Sequence, residues 1–307
     1  MKRQIIQFFF IGIAVGVWLL VFSLVGLIRL QALDASTILA IEAADTTHSE
    51  VSAKVYEQLS TTVTPAEGVT LPVQWGNMGR QLVEVGAIDL AKFERQYGEL
   101  TEEQLQILQG DDLQEIRFTP NNIQFWTNVL WSLGLTQQSQ VLGEGPMTER
   151  ASEVPIANYA STAGWTLGSK PATELFNSQR LIDLTPEQDE LVQQVAATIF
   201  RPCCGNHTGY PDCNHGMAVL GLMELMASQG ATEDELYRAA LAFNRYAFPS
   251  QYAVLATYFL SEGTPWADVD AVTVLGADYS SARGFQQILA QVQPPEANSR
   301  ESGGCST

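Results

Sequence analysis

The segment from Arg201 to Gln229 reads RPCCGNHTGYPDCNHGMAVLGLMELMASQ. The thirteen residues from Cys203 to His215 contain three of the four cysteines and two of the three histidines in the chain. Thiolate sulfur and imidazole nitrogen are good ligands for zinc, copper and iron. This clustering of soft donor atoms predicts a metal or thiol centre.

Helix signals lie on both sides of the cluster. Residues 185–188 read TPEQ, which is a capping box with proline at the first helical position. That helix should end near Phe200 or Arg201, because Pro202 disfavours helical geometry in the residue before it. Asp212 is a suitable N-cap for a second helix, which continues through the apolar run MAVLGLMELMA. We therefore expect a Cys/His-rich loop between two core helices.

Five residues are candidate ligands, and about four are needed for a tetrahedral site. The preferred set is Cys204, His207, Cys213 and His215. Cys203 is an alternative or additional ligand, because two adjacent side chains do not readily converge on one ion. The spacing CC-x2-H-x5-C-x-H matches no common zinc-finger pattern, and it lacks the C-x-x-C-H of haem attachment. Zinc in a structural role and copper in a handling role are both consistent with this donor set.

A disulfide is the first alternative. Cys203 or Cys204 could bridge to Cys213, and the remaining thiol could pair with Cys305 in the tail. The chain would then be a disulfide-stapled helical scaffold that contacts a protein partner in a membrane complex. The two histidines favour the metal site, since a disulfide does not need them.

A thiol enzyme is the second alternative. Cys213 would be the nucleophile near a helix N-terminus, where the helix dipole favours a thiolate. His207 would be the better base, because His215 is two residues from Cys213 and side chains at that spacing point apart on a helix. The sequence contains no P-loop, dinucleotide fingerprint, G-x-S-x-G or H-E-x-x-H, so it indicates no substrate or reaction.

The N-terminus predicts a membrane anchor. Residues 5–28 form a nearly continuous apolar run, which would be about 36 Å long as a helix, enough to cross a bilayer. Lys2 and Arg3 precede it, and no small-residue cleavage site follows it. Residues 1–30 are interpreted as a single-pass signal anchor. The remainder would be extracytoplasmic, either periplasmic or at the cell surface.

The chain after the anchor is strongly acidic. Lys2, Arg3 and Arg29 are three of the 16 basic residues, so 13 basic residues remain against 34 acidic ones, a formal charge of −21. This charge argues against binding nucleic acid or lying flat on anionic lipid. It is consistent with a domain held away from a membrane surface.

The fold class expected from these signals is all-α. Residues 31–73 are interpreted as a helical stalk and linker, with the linker at 61–72. Residues 74–293 form a helical globular domain, with a possible subdivision near 136–175, and 294–307 are a disordered tail. In the irregular part of the domain, residues 159–165 are expected either to pack over the Cys/His loop or to form a surface connection between two helical subdomains. Glu224 interrupts an apolar helix, so an ion pair with Arg238 or Arg245 is expected.

Overall fold

The structure is a computed structural model that describes residues 48–292. Helices predominate, so the predicted helical class is confirmed. The predicted anchor at 1–30 and tail at 294–307 lie outside the described residues. Between residues 48 and 292, no helix has both the length and the apolar character needed to cross a bilayer.

The chain divides into two units, residues 1–55 and 56–307. Helix α1 is formed by His48–Val63. In the second unit, the side chains of Tyr56, Leu59 and Val63 are buried. The Tyr56 hydroxyl donates a hydrogen bond to the carbonyl oxygen of Ser250, 3.2 Å away. Residues 56–63 therefore pack within the same unit as the Cys/His loop.

Two strands form an antiparallel sheet, β1 (Val69–Gly76) and β2 (Asp112–Phe118). β1 occupies part of the segment predicted as a linker. Its side chains alternate, and Leu71, Val73 and Trp75 point into the core while Pro72 is exposed. Proline is tolerated here because it lies on an edge strand. The helical class thus includes a small sheet that the sequence patterns did not indicate.

Between and after the strands the chain is helical. Short helices fill the irregular segment 136–175, which lies in the same unit as the rest of residues 56–292. The further helices are α2 (Met78–Glu84), α3 (Leu90–Tyr97), α4 (Glu102–Gln109), α5 (Ile123–Thr136), α6 (Gln140–Gly143), α7 (Pro146–Glu149), α8 (Ala160–Ala163), α9 (Ala172–Leu175), α10 (Pro186–Ala196), α11 (Asn214–Ser228), α12 (Glu233–Ala247), α13 (Pro249–Ser261), α14 (Ala271–Leu275), α15 (Ala277–Ser280) and α16 (Ala282–Val292).

The core is built around α5 and α11, whose residues are almost all buried. The two helices touch through their backbones at Gly134 and Gly221. A Cβ atom at Gly221 would lie 2.6 Å from the Gly134 nitrogen and 2.7 Å from the Leu130 carbonyl oxygen. Only glycine permits this approach, which fixes α11 and therefore the positions of Cys213 and His215 at its N-terminal end.

The predicted ion pair of Glu224 is wrong. The side chain is fully buried in α11, but neither of its oxygens has a hydrogen bond within the described residues. Arg238 pairs with Asp234 instead. Burial raises the pKa of Glu224 well above its ordinary value, the Ser139 side chain lowers it in part, and the charge of Asp189 raises it further. The carboxyl can stay buried because protonation removes its charge.

Candidate metal centre

The cluster lies on the connection between α10 and α11. α10 ends at Ala196, earlier than the sequence predicted, and the loop folds back on it. The backbone nitrogens of Thr208 and Gly209 donate to the carbonyl oxygens of Ile199 and Ala196, both at 2.8 Å. The loop then delivers Cys213 to the start of α11. Cys213 itself is the N-cap, where Asp212 had been expected.

Three sulfur atoms meet at this point. The Sγ atom of Cys213 lies 3.7 Å from that of Cys203 and 3.9 Å from that of Cys204. Both distances exceed the S–S bond of about 2.05 Å. They match the separation of about 3.8 Å between two sulfurs that bind one tetrahedral zinc ion at about 2.3 Å. The backbone thus places Cys213 at metal-sharing distance from both members of the adjacent pair.

A nitrogen and an oxygen donor complete the cluster. Ligand atoms of Cys203, Cys213 and His215 lie within 4.8 Å of one another, as do those of Cys204, Asp212 and Cys213. Cys213 belongs to both groups. The Nδ1 atom of His215 is buried and has no hydrogen-bond partner among the described residues. A buried polar atom without a partner is costly, so this nitrogen is suited to binding an ion. Either group could hold a metal ion, with Cys213 as the shared ligand.

A buried arginine adjoins the sulfurs. Arg201 is 1% exposed, and its Nε donates to the Cys213 sulfur at 2.9 Å. Its other nitrogens donate to the Asn206 carbonyl oxygen at 3.2 Å and to the Asp212 carboxylate at 3.1 Å. The guanidinium lies against Gly216, where a Cβ atom would be 2.3 Å from Nη2. Arg201, at the beginning of the loop, therefore connects the loop at Asn206 to Asp212 and Cys213 at the start of α11.

The pKa shifts of Arg201 and Cys204 favour a positively charged group that is shared by several of the sulfur atoms. Burial lowers the pKa of Arg201, but the nearby cysteines outweigh it and the pKa is raised overall. The Cys203 side chain lowers the pKa of Cys204, whereas Cys213 and burial raise it, to about 12. Neighbouring thiols therefore do not all ionise together. A cation bound beside Cys213 would allow more than one of these sulfurs to ionise.

His207 does not join either group of ligand atoms. Its ring packs against Phe200, with the ring centres 5.8 Å apart, and lies beside Gly209. Burial lowers the pKa of His207, and the charge of Arg201 lowers it further. The set preferred from the sequence placed His207 on the ion and Cys203 outside it. In the structure, Cys203 rather than His207 is grouped with Cys213 and His215.

The expected contact between residues 159–165 and the loop is confirmed. The Ser161 nitrogen donates to the Asp212 carbonyl oxygen at 3.0 Å. The hydroxyl groups of Tyr159 and Tyr210 are 3.0 Å apart. The Trp131 indole donates to the Ser161 carbonyl oxygen at 2.7 Å, which joins this segment to α5. The loop is thus held by residues 159–165 as well as by its hydrogen bonds to residues 196 and 199.

Two residues of the site were not assigned there from the sequence, Arg201 and Asp212. One signal was available, because Arg201 lies two residues before Cys203 and Asp212 directly precedes Cys213. Comparison with known protein families, curated proteins and solved structures finds no match to this chain. The functional conclusion therefore rests on the residues and their geometry.

Proposed function

We propose that this protein is a membrane-anchored extracytoplasmic protein that binds one transition-metal ion, zinc or copper, through its CC-x2-H-x5-C-x-H loop. The ligands would be Cys203, Cys204, Cys213 and His215. The observation that carries the proposal is the pair of sulfur separations, 3.7 and 3.9 Å, around one shared cysteine. His215, which is grouped with Cys203 and Cys213 and has a buried Nδ1 without a hydrogen-bond partner among the described residues, would supply the fourth ligand.

Each neighbouring group has a role in this site. Three thiolates around a divalent ion leave one negative charge, which Arg201 offsets from 2.9 Å. Asp212 keeps Arg201 in place through their ion pair. Its carboxylate is also close to the Cys204 sulfur, so it could bind the ion in place of Cys204. The His215 ring packs 4.6 Å from that of Phe248, which fixes its orientation. A site with four protein ligands is structural in character.

The metal is tested by analysis of the full chain together with two matched cysteine variants. Wild-type protein should contain about one metal ion per chain, and Cys213→Ser should contain almost none. Cys305→Ser is the control, because it removes a cysteine outside the cluster and should retain the metal. Equal metal content in wild type and Cys213→Ser would overturn the proposal. Competition between zinc and copper(I) then identifies the ion, since thiolates bind both.

The membrane part of the proposal is supported by the sequence of residues 1–30 and by the charge of −21 that follows. It predicts that the full chain stays with the membrane fraction after washing at high salt and alkaline pH. It also predicts that residues 56–292 are digested when protease is added outside the cytoplasm. Protection from that protease would show the opposite orientation and contradict the extracytoplasmic assignment.

A disulfide is the second candidate, favoured by the same sulfur distances. Because Cys213 is within 4 Å of two other sulfurs, oxidation could join it to either one after a small side-chain rotation. In that case the protein would be a stapled scaffold for a protein partner. Mass analysis of alkylated protein distinguishes the two, since a metal site yields unoxidised thiols after chelation whereas a disulfide protects two cysteines until a reductant is added.

A further inference from the structure

A cavity lies between β1 and α12. None of the residues that line it belongs to the Cys/His loop. Its volume is about 440 Å³, and most of its wall is apolar. Val69, Leu71 and Pro72 come from the strand, and Ala239, Leu241 and Ala242 come from the helix. A volume in this range accommodates a small organic molecule.

Three charged residues also line this cavity, and two of them already have partners. Arg238 forms an ion pair with Asp234. The Glu235 carboxylate accepts hydrogen bonds at 2.8 Å from both the nitrogen and the hydroxyl of Thr232. The third charged residue is Arg245.

Arg245 has no ion pair or hydrogen bond to any residue in the described part of the chain, and its Nε atom is buried. Its guanidinium carbon lies 5.6 Å from the centre of the ring of its neighbour Tyr246. This isolation is unusual, because the chain has 34 acidic residues for 16 basic ones. An acidic partner for Arg245 would be easy to supply from within such a sequence.

The partly buried Arg245 differs from the fully buried Glu224 in how it can lose its charge. A carboxyl can lose its charge by taking up a proton, whereas a guanidinium stays charged at physiological pH. Burial lowers the pKa of Arg245, but the group remains a cation. A partly buried cation that lacks a partner is costly, and an anion from outside the chain would remove that cost.

We propose that this cavity binds an amphiphilic anion, a carboxylate on a short aliphatic chain, with its head on Arg245 and its chain against the apolar wall formed by β1 and α12. The ligand needs a charged head and an apolar chain because the site combines a charged group with an apolar wall. The positive charge recognises the head, and the aliphatic residues exclude water from the tail. This binding is independent of the metal centre.

Calorimetric titration of the full chain with octanoate and with octylamine tests the charge requirement, because the two probes share a chain and differ in the sign of the head. Octanoate should bind saturably, with a dissociation constant below about 1 mM, and octylamine at least about tenfold more weakly. Equal binding of both probes, or no saturation by octanoate, would overturn the proposal.

Three variants separate the roles of charge and shape. Arg245→Met keeps the aliphatic stem and should weaken octanoate binding by about tenfold or more. Arg238→Met is the matched control, which should change binding by less than about threefold because that charge is paired on the surface. Leu241→Trp narrows the cavity without altering any charge and should also abolish binding. Octanoate binding that survives Leu241→Trp would contradict the location, even if Arg245→Met does not fold.

Discussion

Arg201 should contribute more to stability than any surface arginine of this protein. Replacing it by Met removes hydrogen bonds to Cys213 at 2.9 Å, Asp212 at 3.1 Å and Asn206 at 3.2 Å. The replacement also leaves the Asp212 carboxylate, which is 23% exposed, without its ion-pair partner. Breaking a buried charged network by removing one member costs about 3–5 kcal/mol. We expect Arg201→Met to lower the free energy of unfolding by this amount in metal-free protein.

The assay is urea denaturation of the full chain after chelation, followed by tryptophan fluorescence at pH 7. Arg180→Met is the matched control, because Arg180 is 64% exposed and pairs with an exposed Asp183. The control should change the free energy of unfolding by less than about 0.5 kcal/mol. If Arg201→Met and Arg180→Met are destabilised equally, Arg201 does not hold the loop against α11. The hydrogen bonds of Arg201 to Cys213, Asp212 and Asn206 would then not stabilise the fold.

Two further perturbations test the core. Because burial raises the pKa of Glu224, its stabilising contribution is fully present below the unfolded value near 4.5 and is lost as the pH rises toward the folded value. Urea titrations of wild type and Glu224→Gln measure this loss. Above pH 4.5, the free energy of unfolding of the variant should rise relative to that of wild type by about 1.4 kcal/mol per pH unit. A difference between the two proteins that stays constant with pH would refute the buried carboxyl. Gly221→Ala places a Cβ atom 2.6 Å from the Gly134 nitrogen, and the forced separation of α5 and α11 should cost about 3 kcal/mol or more. Gly205→Ala, with nothing within 4 Å of its Cβ position, should cost less than about 0.5 kcal/mol, and equal midpoints for the two alanine variants would show that the helices do not touch there.

Local signals predicted the helices well. The capping box predicted at residues 185–188 forms at Thr185. The sheet was missed because β1 pairs with a strand about 40 residues further along the chain, and no local pattern reports such a partner. Pro72 made the segment resemble a linker, although proline is compatible with an edge strand.

The composition of the site could be predicted more readily than its geometry. Clustered cysteines and histidines identify a centre without any knowledge of the loop path. Which of them converge depends on the fold of residues 197–213, because that path turns His207 toward Phe200 and brings Cys203 to Cys213. The role of Arg201 could not be inferred from spacing, since its guanidinium reaches Cys213 only because Gly216 leaves room for it.

The coordination shell of the bound ion tests the proposed function most directly. X-ray absorption at the metal edge of the full chain, purified with its own metal, should show three sulfurs at about 2.3 Å and one nitrogen at about 2.0–2.1 Å. A shell made only of oxygen and nitrogen would mean that the ion is held by the acidic surface of a chain with a net charge of −18. That result would contradict a metal centre built on Cys203, Cys204, Cys213 and His215.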